Sequence, residues 1–62
     1  MSSMVIIEYQ ANNGVWVRFA TCSNHPSSIK TMLDSCLRSQ GWIKKARAID
    51  ADTKQLLDMA IK

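Results

Sequence analysis

Cys22 and His25 stand at a Cys-x2-His spacing, with Ser27, Ser28, Asp34 and Cys36 following within the next eleven residues. Two kinds of chemistry use residues of these types. A structural zinc takes four nitrogen or sulfur ligands, usually as two close pairs, and one histidine with two cysteines falls short of that set. Cys36 also recurs with the apolar positions of its segment, where a thiol acts as a small hydrophobe. Nucleophilic catalysis needs a nucleophile, a base in reach and a group that orients the base. His25 with Cys22, Ser27, Ser28 or Asp34 is the only such combination, and it falls in a turn before a helix on a chain too short for much of a concave pocket. Asp50, Asp52 and Asp58 do not have the spacing of a calcium loop. The two glycines serve a turn and a helix end, which leaves none for a phosphate loop. The expectation is a protein that is not an enzyme, with no metal, no cofactor and no small-molecule substrate.

Two other groups of residues are better suited to binding. The segment Arg38-Ser-Gln-Gly-Trp-Ile-Lys-Lys-Ala-Arg47 mixes cations with an aromatic, the combination that phosphate contact and base stacking use. Arg38, Trp42, Lys44, Lys45 and Arg47 are therefore candidate nucleic-acid contacts, with Trp16 and Arg18 as a second platform. The alternative is that Trp42 closes a helix end while the cations solvate a strand. The second group emerges from the elements that position these residues.

Met4 to Ala11 and Val15 to Cys22 are rich in β-branched and aromatic residues and flank Asn12-Asn13-Gly14, which reads as a hairpin. Parity decides its register. A two-residue loop at Asn13-Gly14 would set Val5, Ile7 and Tyr9 on one face with Trp16, Arg18 and Ala20, and would leave Val15, Val17 and Phe19 with Glu8 and Gln10. A three-residue loop with Gly14 in a left-handed G1 bulge pairs Ala11 with Val15, Tyr9 with Val17 and Ile7 with Phe19. It also sets Glu8 opposite Arg18, a stabilising cross-strand pair. The second register gathers the β-forming apolar residues on one side and turns Trp16 outward.

Ser27 to Gln40 carries Ile29, Met32, Leu33, Cys36 and Leu37 at helical spacing, one apolar stripe with Lys30, Thr31, Asp34, Ser35 and Arg38 opposite. Ser27 or Ser28 is the expected N-cap. Gly41 is the expected left-handed end, with Trp42 folding back on Leu37. Trp42 to Ala51 and Gln55 to Ile61 read as a second hairpin around Asp52-Thr53-Lys54, where Lys54 occupies a position that favours glycine. A three-residue loop there groups Ile43, Ile49, Leu57, Met59 and Ile61; a two-residue loop groups Ala46 and Ala48 with Leu57, Met59 and Ile61. Both registers fit the sequence.

The order strand, strand, helix, strand, strand implies an α+β two-layer sandwich. A helix that returns the chain to its starting edge allows a four-stranded antiparallel sheet of order 2-1-3-4, with the helix on one face. The other face is then bare. The first hairpin puts Met4, Ile6, Trp16, Arg18 and Ala20 there, joined by Ala46, Ala48 and Leu56 if the second hairpin follows suit. A contiguous exposed apolar patch commonly marks an interaction site, and tryptophan, methionine and arginine are enriched in interface cores.

Size and charge agree with a binding role. The chain has 62 residues, enough for the single domain expected over residues 1–62. Such a chain buries only about 60% of the surface its unfolded form exposes, so a partner surface would add needed apolar contact. A composition that is 47% hydrophobic and 21% charged is globular. Of the net charge of +3, residues 1–49 carry +4 and residues 50–62 carry −1, a distribution that draws anionic partners weakly. Met1-Ser2-Ser3-Met4 lacks the basic start of a signal peptide, and no apolar run reaches the roughly 18 residues of a membrane span. Two cysteines are too few for a disulfide scaffold, so both are expected as free thiols in the cytoplasm. The sequence thus favours an interaction or regulatory module that pairs with itself or another protein through an open sheet face, with nucleic-acid binding as the alternative and no membrane partner.

Overall fold

The structure is a computed structural model and describes residues 4–62; Met1 to Ser3, part of the stretch weighed as a leader, lie outside the described residues. Strands β1 (Met4–Gln10) and β2 (Trp16–Ser23), helix α1 (Pro26–Ser39), and strands β3 (Lys45–Asp50) and β4 (Leu56–Ile61) follow one another. The sheet is antiparallel with order β2-β1-β3-β4, and α1 packs on one face. This is the α+β sandwich that the sequence implies.

The first turn has the three-residue form. Ala11 N–H donates to Val15 O at 2.8 Å and Gly14 N–H to Ala11 O at 2.9 Å, with Gly14 at φ 88°. Gln10 pairs with Trp16, Tyr9 with Val17 and Glu8 with Arg18 as expected, but the next pair is Ile7 with Ala20. Phe19 is an extra residue, a β-bulge, and two residues of β2 oppose one of β1 there. Beyond it parity inverts. Ala20 and Cys22 turn to the helix face beside Ile7 and Val5, so Ala20 does not belong to the open face as the unbroken register had it.

The second hairpin has neither of the loop lengths the sequence offered at its turn, and regains the three-residue register only farther along. Beside the turn, Asp50 pairs with Gln55 across four residues, closed by Lys54 N–H to Asp50 O at 2.9 Å. A bulge at Leu57 then restores the three-residue register, pairing Ala48 with Asp58, Arg47 with Met59, Ala46 with Ala60 and Lys45 with Ile61. Lys54 adopts φ 65°, the left-handed conformation for which its position favours glycine.

The helix begins and ends otherwise than its sequence suggests. Its N-cap is His25 in extended conformation, which the following proline enforces, and Pro26 supplies the first helical position, where a missing N–H costs nothing. Ser27 and Ser28 lie inside the helix rather than capping it. At the other end Gln40 is extended at φ −141°, and Gly41 has no positive φ; a turn closed by Ile43 N–H to Gln40 O at 3.2 Å redirects the chain. The core lies between α1 and the sheet. Ile29, Leu33, Cys36 and Leu37 meet Val5, Ile7, Ile43, Ala46 and Ala48, with Tyr9, Cys22, Met32 and Ala60 packed around them. Ile43 is thus a core residue on the helix side, separated from Ile49, Met59 and Ile61. Alanine at positions 46 and 48 lets the helix approach β3 closely; both are inaccessible to solvent and neither is on the bare face.

Candidate functional site

Cross-strand partners in an antiparallel sheet share a face, so the register lays out the face that α1 leaves bare. One row runs Thr21, Ile6, Ile49, Leu56; the next runs Arg18, Glu8, Arg47, Met59; and Trp16 with Gln10, and Lys45 with Ile61, extend it toward the first turn. Met4 continues it at the other end.

The centre of this face is closed rather than open. Ile6 and Ile49 sit side by side and are only 5% and 8% accessible, so Ile6 is a packed residue and presents little to a partner. Beside them Glu8 Oε1 accepts a hydrogen bond from Arg47 Nε at 2.8 Å and lies 2.8 Å from Nη2 in the same ion pair, with both side chains largely screened from solvent. The Arg47 guanidinium also lies 4.1 Å from the centre of the Trp16 ring, within cation–π range. Arg18 stands opposite Glu8 in the ladder, yet the ion pair forms with Arg47 from the other neighbouring strand. Trp16 does face away from the core, and in doing so it covers an ion pair.

On this face exposed apolar surface gathers at β4; at the other edge Val15, Val17 and Phe19, which the sequence gathered with the core-facing residues of β1, are exposed as well, because α1 does not cover that end of β2. Leu56 is 52%, Met59 42% and Ile61 67% accessible, and Met4 is exposed as well. Leu56, Met59 and Ile61 lie on the bare face by register. The three-residue register does group Met59 and Ile61 with Ile49, but that group faces away from the helix, where the sequence set Ala46, Ala48 and Leu56; of those three only Leu56 is on the bare face, brought there by the bulge at Leu57. Of the five residues that the sequence placed together as an interface, the fold keeps Met4, Trp16 and Arg18 on the bare face and exposed or half-buried, buries Ile6 there, and moves Ala20 to the other side.

The basic segment is divided. Arg38 pairs with Asp34 at 3.2 Å on the exposed face of α1, and Arg47 is held by Glu8 and Trp16. Trp42 packs edge-to-face on Tyr9 with ring centres 5.6 Å apart, on the helix side. Lys44 and Lys45 are exposed, and with Trp42, Gln10, Ala11 and Asn12 they line a shallow cleft at the end of the sheet.

Among the described residues, no three His, Cys, Asp or Glu side chains come close enough to hold a metal ion. Burial pushes the thiols of Cys22 and Cys36 up from the ordinary cysteine value, which disfavours the nucleophilic thiolate. Cys22 lines an open groove with Ser23, Ser27, Ser28, Thr31 and Met32 at the start of α1. The Asp50 carboxylate accepts the amides of Asp52 and Thr53 at 2.8 and 3.1 Å, and those bonds hold it below the ordinary aspartate value. Asp50 is thus a turn residue. No helix among the described residues is long and apolar enough to cross a membrane. Compared with known proteins, the chain matches no family model, no curated protein and no solved structure.

Proposed function

We propose that this protein is a non-enzymatic interaction or regulatory module that binds a protein, either a second copy or another chain, through its open sheet face. The observation that carries the reading is the run of Leu56, Met59 and Ile61, all more than two-fifths exposed on one side of a strand at the sheet edge. A small domain gains stability by covering such a surface, and contiguous exposed apolar area marks contact sites. Arg47, locked between Glu8 and Trp16, gives that face a rigid floor. A reducing compartment such as the cytoplasm suits the two free thiols.

Affinity capture from the native host tests the reading, with tagged protein as bait, an untagged copy co-expressed, and both proteins and nucleic acids identified. Wild-type bait should retain the untagged copy or a distinct protein, and bait carrying Leu56→Lys and Ile61→Lys should lose it. Retention unchanged by those substitutions would refute the reading. Nucleic-acid binding is the second reading, favoured by the cleft that gathers Trp42, Lys44 and Lys45. It requires capture of DNA or RNA that falls steeply with salt and is lost in Lys44→Glu with Lys45→Glu.

A further inference from the structure

We infer that the free edge of β4 pairs antiparallel with β4 of a second copy, in the register that sets Asp58 opposite Lys62 of the other chain. The inference rests on the module reading, names its partner, and places the contact along the β4 edge of that face rather than across it.

The backbone defines what can dock. Lys62 N–H donates to Lys44 O at 2.8 Å, so Lys62, Ala60 and Asp58 turn their amides toward β3. Alternation along the strand then turns the amides and carbonyls of Met59 and Ile61 outward. Met59 N–H is held only by its neighbour, donating to Asp58 Oδ1 at 2.8 Å. An edge of this kind, apolar and regular beyond Leu57, is a template for another strand. The opposite edge is a poorer one, because the bulge at Phe19 interrupts β2 and Arg18 lies beside it.

Charge selects the occupant and the register. Strands related by a twofold axis perpendicular to the sheet must pair residues of like parity, which leaves few choices. An axis at Asp58 sets two carboxylates face to face, which is destabilising. An axis at Met59 sets Asp58 against Ala60 and leaves both charges without a direct partner. An axis at Ala60 sets Asp58 opposite Lys62 twice, pairs Met59 with Ile61 twice on the open face, and puts the small alanine where two strands come closest. Met59 and Ile61 then exchange their outward backbone hydrogen bonds, and the Asp58 carboxylate passes from the Met59 amide to the Lys62 ammonium. Both helices lie on the same side of the eight-stranded sheet. Lys62 of the second copy arrives beside the groove between α1 and β4, where two acids, Asp34 and Asp58, outnumber the one cation, Lys30.

The test is sedimentation equilibrium of the full chain from micromolar to millimolar concentration, with disulfide trapping in a Cys22→Ser background. Two opposite-charge pairs of up to about 1 kcal/mol each, replaced by repulsion in Asp58→Lys, correspond to a dimer weakened roughly tenfold or more. Asp58→Lys with Lys62→Asp should regain most of that affinity. Close approach at the axis, about 4.5 Å between Cα atoms, lies within disulfide range, so Ala60→Cys should cross-link on mild oxidation and Met59→Cys should not. A chain that stays monomeric, a dimer indifferent to Asp58→Lys, or cross-linking through Met59→Cys alone would overturn the inference. A monomer that still captures another protein through Leu56 and Ile61 overturns the self-pairing and leaves the module reading standing; loss of both overturns both.

Discussion

Replacing Arg47 with methionine keeps a long apolar stem but removes the guanidinium that joins three strands. Its Nε donates to Glu8 Oε1 at 2.8 Å, its Nη2 lies at the same distance from that oxygen, and its charge sits 4.1 Å from the centre of the Trp16 ring. Were the pair exposed, its loss would cost at most about 1 kcal/mol. Here the Arg47 side chain is 29% and the Glu8 side chain 17% accessible, so the variant leaves a carboxylate partly desolvated and without a partner. Hydrogen bonds to charged groups contribute about 1.5–3 kcal/mol, and a cation–π contact at a partly covered site about 0.5–1 kcal/mol. The expected cost of Arg47→Met is roughly 2–3 kcal/mol, a large share of the stability of so small a domain. In urea, with a slope of about 1 kcal/mol per molar, the midpoint followed by far-ultraviolet circular dichroism should fall by roughly 2 M. Adding Glu8→Gln should restore about 1–2 kcal/mol, because the orphaned charge is gone and the two positions are coupled. A loss under about 0.5 kcal/mol in Arg47→Met, or additive effects in the double variant, would refute the view that this ion pair organises the open face.

Lys54→Gly should raise stability by about 0.5–1 kcal/mol, since the left-handed φ of 65° strains a lysine by more than glycine adds in unfolded-chain entropy; a lower melting temperature would contradict this. Asp50 is held below the ordinary aspartate value by the amides of Thr53 and Asp52, so its contribution is complete above about pH 4, the unfolded value, and fades as pH falls through the depressed folded value. Asp50→Asn, whose carbonyl oxygen can accept the same amides, should flatten that part of the stability–pH curve, and an unchanged slope would rule out this origin. With a thiol reagent at neutral pH, half-buried Cys22 should react slowly and buried Cys36 only at the rate of unfolding; equal rates in the folded protein would contradict the packing of Cys36.

Local spacing in the chain determined most of the scaffold. The apolar stripe from Ile29 to Leu37 dictates one helix with one buried side, and the turn residues divide the strands, so element order and sheet order follow from short-range pattern and connection length. Parity across Asn12-Asn13-Gly14 fixed the outward direction of Trp16, and the backbone demand at Lys54 was legible for the same reason: both depend on a few adjacent residues. Only the tertiary structure decided what lies beyond a break in register. A bulge adds one residue with no mark in the alternation, and the one at Phe19 moved Ala20 to the helix side while the one at Leu57 joined a four-residue turn to the three-residue register. Nor can a hairpin reveal which strand lies on its other side. Glu8 faces Arg18 within its own hairpin, yet it bonds to Arg47, thirty-nine residues away, because β3 brings that guanidinium between Glu8 and Trp16. The apolar surface of the open face therefore centres on β4, where the sheet ends and no further strand of the described chain covers Met59 and Ile61.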